Sequence, residues 1–196
     1  MNTEKDYLRD LTEIRSLMER SSKFLSLTGF SGILAGVYAL AGAYLACSWI
    51  YGSDTEANVL SIFSLGALVL VLALSTAVVL SQKKSAKNGE RLWNPVAKRL
   101  LMNLAIPLVS GGIFILILFL KDSIELIAPA MLIFYGLALV NAGKFTFEEV
   151  KFFGIIEILL GLIAAYYTDY GLLFWAIGFG FMHIVYGIYM HWKYER

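Results

Sequence analysis

The feature that most narrows what this chain can fold into is the spacing of its charges. No Asp, Glu, Lys or Arg occurs between Lys23 and Asp54, Glu56 and Lys83, Arg99 and Lys121, Glu125 and Lys144, or Asp169 and Lys193. Between Lys151 and Asp169 the single exception is Glu157. A helix rises about 1.5 Å per residue, so about 20 apolar residues cover a hydrocarbon core about 30 Å thick. Every window is long enough. The sequence therefore predicts an all-α membrane protein, a bundle of six transmembrane helices in three hairpins, with spans at about 24–50, 57–81, 100–120, 124–143, 149–168 and 171–191. A short amphipathic cytoplasmic helix within 1–23 precedes this membrane domain of 24–192, and 193–196 form a tail.

Composition agrees. Charged residues make up 16% of the chain, against about 25% in soluble domains. The net charge of +1 gives no field that would draw nucleic acid. The one cysteine, Cys47, cannot close an intrachain disulfide. The charged leader is too long and too acidic for a secretory signal, and Tyr44-Leu45 spoils the faint lipoprotein box before Cys47, so the first span is expected to stay.

Basic residues set the orientation. Lys5, Arg9, Arg15, Arg20 and Lys23 precede the first span. Lys83, Lys84, Lys87, Arg91, Lys98 and Arg99 follow the second, Lys144 and Lys151 the fourth, and Lys193 and Arg196 the sixth. The other three connections offer only Lys121 against Asp54, Glu56, Asp122, Glu125 and Asp169. This alternation puts both termini in the cytoplasm, in a plasma membrane of bacterial type. Ser53-Asp54-Thr55-Glu56 and Thr146-Phe147-Glu148-Glu149 have capping-box spacing and are expected to start spans two and five. Asp122 should cap span four, and Gly143 should stop it. Trp49, Tyr51, Tyr166, Tyr167 and Tyr170 on one side, and Trp93, Tyr189, Trp192 and Tyr194 on the other, read as interfacial belts.

Two segments outside the spans could meet something other than lipid. Residues 4–22 carry an apolar stripe at Tyr7, Leu11, Ile14 and Met18 that continues past Ser21 to Leu25, with Arg9/Glu13, Arg15/Glu19 and Glu19/Lys23 at i,i+4. Residues 82–99 hold six basic side chains and only Glu90. Beside the bilayer itself, these segments are the expected surfaces for a protein partner or self-association. As bare structure they serve as an elbow helix and a topological anchor.

Lipid provides no hydrophobic drive between helices, so small residues mark the packed faces. Gly32 and Gly36 lie beside Ser31, Ala35, Ala39 and Ala43 in span one. Span five aligns Gly154, Glu157, Gly161 and Ala164, and span six aligns Ala176, Gly180, His183 and Gly187. Glu157 and His183 therefore face inward at a shared depth, roughly 18–20 Å from the turn between their spans at 1.5 Å per residue. They are the expected intramembrane polar pair, with Asn103 and Asn141 as polar neighbours. Pro107 should kink span three. Phe30-Ser31-Gly32-Ile33 is echoed by Phe152-Phe153-Gly154-Ile155, and Tyr135-Gly136 by Tyr186-Gly187. Three hairpin repeats would explain this; low-complexity membrane sequence is the plainer account.

Catalytic signals are missing. His183 and His191 share one helix, and no metalloprotease, nucleophile-elbow or phosphate-loop motif occurs. The sequence thus implies no enzyme, no metal and no cofactor. Its first expectation is a non-catalytic membrane module acting through a protein partner. The alternative is a small transporter or channel, proton-coupled through Glu157 and His183, because ionisable groups in spans tend to mark ion pathways. Reporter fusions after Ala86 and after Arg196 should both read cytoplasmic. An external reading at either position would overturn the six-span topology.

Overall fold

The computed structural model describes residues 23–51, 59–87, 89 and 93–195. The leader 4–22 and the Ser53-Asp54-Thr55-Glu56 box lie outside them. The elements are α1 (Gly29–Tyr51), α2 (Val59–Lys87), α3 (Pro95–Leu120), α4 (Ile127–Ala142), α5 (Glu148–Tyr166), α6 (Gly171–Trp175) and α7 (His183–Tyr194). A π-helical segment, Ala176–Met182, joins α6 to α7, and the three run as one rod. Single 3-10 turns occupy Ile124–Leu126, Gly143–Phe145 and Thr168–Tyr170. Among the described residues there is no strand, so the architecture is six helical rods. Five are long and apolar enough to cross a membrane. The exception is α5, whose 19 residues include Glu148, Glu149, Lys151 and Glu157.

Several ends differ from expectation, and at one of them a tertiary partner outcompetes the local cap. Basic residues beyond Ser81 continue α2 to Lys87. The start of α3 comes earlier than hydropathy suggests, at Pro95, where the Asn94 side chain accepts from Ala97 N at 2.8 Å and a missing N–H costs nothing. Thr146 does not cap α5; its hydroxyl donates to Phe24 O at 2.8 Å, while Phe24 N donates to Phe145 O at 2.7 Å. Asp122 has φ 55 and turns the chain without capping the next helix. Gly143 does end α4 as expected, but with right-handed helical angles, so the chain passes on into a 3-10 turn. Its small size answers a different need, since a methyl there would stand 2.8 Å from Lys151 Cβ.

The last turn of α7 ties down the end of the bundle that holds the basic residues. Glu195 Oε1 accepts from Gly29 N at 3.0 Å and Lys84 Nζ at 3.2 Å, and its Oε2 lies 2.6 Å from His191 Nδ1. A carboxylate from the far end of the chain thus caps α1. Burial alone would raise the Glu195 pKa, but the hydrogen bonds from His191, Gly29 and Lys84 outweigh it and hold the group below the usual carboxylate value. Lys84 also donates to Leu27 O, and Ser85 bonds Ser26 at 2.8 Å, which brings α2 against the entry to α1.

Two tight pairs form the centre: α1 with the π segment and α7, and α4 with α5. Outside them, α3 packs on α4 and α2 on α1. A methyl on Gly187 would stand 2.6 Å from both Gly29 O and Ile33 N. One on Gly136 would stand 2.5 Å from Gly154 O and 2.8 Å from Ile158 N. A second contact lies seven residues along each helix. A methyl on Gly36 meets Gly180 O at 2.5 Å and Ile184 N at 3.0 Å, and one on Gly161 meets Pro129 O at 3.0 Å and Ile133 N at 2.9 Å. The two pairs therefore interlock by the same pattern. It aligns Gly136 with Gly187, as the sequence echo does, but matches Gly154 to Gly29 rather than to Gly32.

These distances rank substitutions. The expected order of thermal stability in detergent is Gly36→Ala lowest, then Gly32→Ala, where the nearest backbone atom is Gly187 Cα at 3.3 Å. Gly112→Ala should be neutral or stabilising, because nothing lies within 4 Å and alanine is the better helix former. Equal melting temperatures for all three would mean the α1 glycines do not face a helix.

Candidate functional site

The buried residues of α5 lie along one face: Val150, Phe153, Gly154, Glu157, Gly161 and Ala164. The glycines on that stripe let α4 approach, and the same stripe carries Glu157 to 0% exposure. Across from it, the wide turns of the π segment present Gly178, and His183 opens α7. Such bulges often accompany functional positions. Tyr135 comes from α4. Four residues from four elements thus meet in one layer, on the seam between the two glycine-locked pairs.

His183 is fully engaged. Its Nδ1 lies 3.0 Å from Gly178 O and its Nε2 2.8 Å from the Tyr135 hydroxyl. A carbonyl only accepts, so Nδ1 carries the hydrogen; a neutral ring then offers its Nε2 lone pair to the tyrosine O–H. Tyr135 and Phe179 stack on the imidazole at 5.4 and 5.9 Å, and Phe153 meets it edge-on at 4.8 Å. The bond to Gly178 spans five residues, so the side chain braces the π segment against its own backbone.

Glu157 contrasts with it. Neither carboxyl oxygen has a hydrogen-bond partner among the described residues. The carboxyl abuts Gly178, where an added methyl would stand 2.5 Å from Glu157 Oε2 and closer still to Leu132 Cδ2. The expected Glu157–His183 pair is therefore corrected in one respect: the residues share a layer around Gly178, but no hydrogen bond joins them, because Tyr135 and the Gly178 carbonyl occupy both ring nitrogens. Asn103 does not join the layer. Its amide donates to Arg99 O at 2.8 Å, within its own helix. Asn141 sits one residue before the end of α4, half-buried. The packing glycines 32, 36, 154, 161, 180 and 187 all lie at helix contacts on the two pairs.

Sequence reasoning missed Tyr135 and Gly178. A tyrosine in an apolar window reads as bulk, and one glycine among many carries no label. The only available signal was the Tyr-Gly echo.

Towards the basic end the layer is sealed. Tyr186 stacks on Phe153 at 4.7 Å, and beyond them Phe24, Ala97, Leu100, Ala142, Phe147, Val150 and Met190 form an apolar cluster. Past that, Glu149 accepts from Lys193 and, at 2.9 Å, from Tyr194, which bridges α5 to α7. No group of three or more metal-ligating side chains occurs among the described residues. No protein-family model, curated protein or solved structure gives a significant match to this chain.

The close approach of Glu157 to Gly178 gives a coupling test. Gly178→Ala should lower thermal stability, and adding Glu157→Ala should recover part of the loss, since one clashing group is gone. Strict additivity of the two changes would show that the carboxyl does not press on Gly178.

Proposed function

We propose that the chain is a six-span integral membrane protein with both termini in the cytoplasm, and that it works as a small transporter. The leader 1–23 and tail 193–196 flank a membrane domain of 24–192. In this reading the pair α1 with α6–α7 moves against the pair α4–α5, and the polar layer between them is the working site. Several transporters are built from parallel units related about the membrane normal, with sites at the unit interface formed by irregular helices. One observation carries the proposal: a fully buried carboxyl on that seam with no hydrogen-bond partner among the described residues. A passive scaffold gains nothing from so costly a group.

The sequence alone ranked a partner-dependent module first. Its main carrier, residues 4–22, lies outside the described residues, and Lys84 of the basic loop is tied to Leu27 and Glu195 within the bundle. The buried carboxyl without a hydrogen-bond partner among the described residues puts the transporter reading first here. No catalysis is assigned.

Relative motion of the pairs is measurable by pulsed dipolar spectroscopy on a Cys47→Ser background. Spin labels replacing Phe30 and Phe152 report near the cytoplasmic end, and labels replacing Tyr44 and Tyr166 report near the outer end; all four side chains are exposed. Two distance populations should appear for each pair of labels and shift in opposite senses as pH is lowered. A single unchanging distance in both would defeat the transporter reading and restore the partner module.

A further inference from the structure

We propose that Glu157 is a proton-binding site, taking up and releasing one proton inside the bundle, while His183 stays neutral as the positioning residue that holds the π segment over it. In the transporter reading this proton is the coupling ion, and to that extent the inference rests on it.

The geometry separates two groups that look alike in sequence. His183 has one N–H matched to an obligate acceptor and one lone pair matched to a hydroxyl, inside a shell of three aromatic rings. It has no vacant position for a further proton unless the Tyr135 hydroxyl turns away. Glu157 has both oxygens free of hydrogen bonds and no exposure. An ionised carboxylate there would lack a protein donor and a counter-charge, which costs the anion far more than the neutral acid. The acid is therefore the resting form, and the anion exists only when the seam opens or a donor arrives. The step balances simply: the O–H bond of the acid breaks, the proton leaves to water, and the pair of electrons stays on the carboxylate.

The surroundings exclude other partners. Around Gly178, which the carboxyl abuts, stand His183 from α7 and, bonded to it, Tyr135 from α4. Neither α4, α6 nor the π segment carries an acidic or basic residue. Lys144 and Asp169 sit in the 3-10 turns at opposite ends of α5, and Glu148, Glu149 and Lys151 lie at its start. A metal cation would need several converging oxygens. Among the described residues no group of three or more His, Cys, Asp or Glu side chains is placed to hold one. A proton needs one oxygen.

A hydrophobic carbodiimide reacts with protonated carboxyls in apolar surroundings and so reads the site directly. The full chain in lipid nanodiscs is treated with dicyclohexylcarbodiimide across a pH series, and the adducts are mapped by mass spectrometry. The expected result is an adduct on Glu157 whose rate falls as pH rises, unaffected by sodium and lost in Glu157→Gln. His183→Gln should still label, with its pH profile displaced by about one unit, because a loosened π segment admits water to the carboxyl. Should Glu157→Gln fail to fold, infrared spectra of the unaltered protein give the same readout: a protonated-carboxyl band that disappears at alkaline pH. Protection by sodium would assign the site to a metal cation and overturn the proposal, as would labelling independent of pH or absent from Glu157. An unchanged pH profile in His183→Gln would overturn its positioning role. Labelling as expected with invariant spin-label distances would keep the proton site and discard transport.

Discussion

Everything else in this bundle hangs on the closeness of two helix crossings. In a membrane, where the proposed function puts this bundle, apolar side chains would gain nothing by leaving one hydrocarbon environment for another, so association would depend on contact and on polar bonds. Gly29 against Gly187 and Gly136 against Gly154 bring backbones within reach of one another, and Gly36 and Gly161 repeat the contact seven residues along. Two rigid pairs result. The other helices are attached more loosely: α3 sets Gly111 against the Phe134 ring, and α2 leans on α1 through Tyr38–Thr76 and on the segment before α1 through Ser26–Ser85.

That closeness places the polar layer. Because Gly154 and Gly161 hold α5 against α4, Glu157 between them has no route to lipid or solvent and must end on the seam. The π segment on the other side widens the helix so that Gly178 can lie over the carboxyl. His183 then reaches back five residues to fix that distortion, with Tyr135 completing its hydrogen bonds. The layer therefore combines a satisfied half and an unsatisfied half. Replacing Tyr135 or Gly178 should disturb the same device as replacing Glu157 or His183, although neither is ionised in any ordinary state.

Polar groups gather at the basic end for a different reason. Residues 24–28 are not helical, so their backbone groups need partners, and they find them on the 3-10 turn before α5 and on α2. Glu195 and Glu149 close the same end by receiving Gly29, Lys84, His191, Lys193 and Tyr194. The capping box expected at the start of α5 failed because both of its side chains bond to distant segments. Thr146 shows this most plainly: its spacing to Glu149 fits a capping box, yet its hydroxyl serves Phe24.

The helical class, the approximate rods and the inward faces of α1, α5 and the last rod were legible in the chain, because charge-free length and small-residue spacing are local properties read at 1.5 Å and about 100° per residue. The same spacing put Glu157 and His183 at one depth. Which atoms they would meet was not local. Whether Glu157 faced the imidazole or the glycine beside it depended on the register of α5 against α4, on a π-helical turn that no residue type announces, and on a tyrosine from a third helix taking the nitrogen first. Sequence determined that two ionisable groups would be buried together. Only tertiary packing decided that one would be satisfied and the other left without a partner, since hydrogen-bond capacity is shared out by angstroms of approach that no single helix specifies.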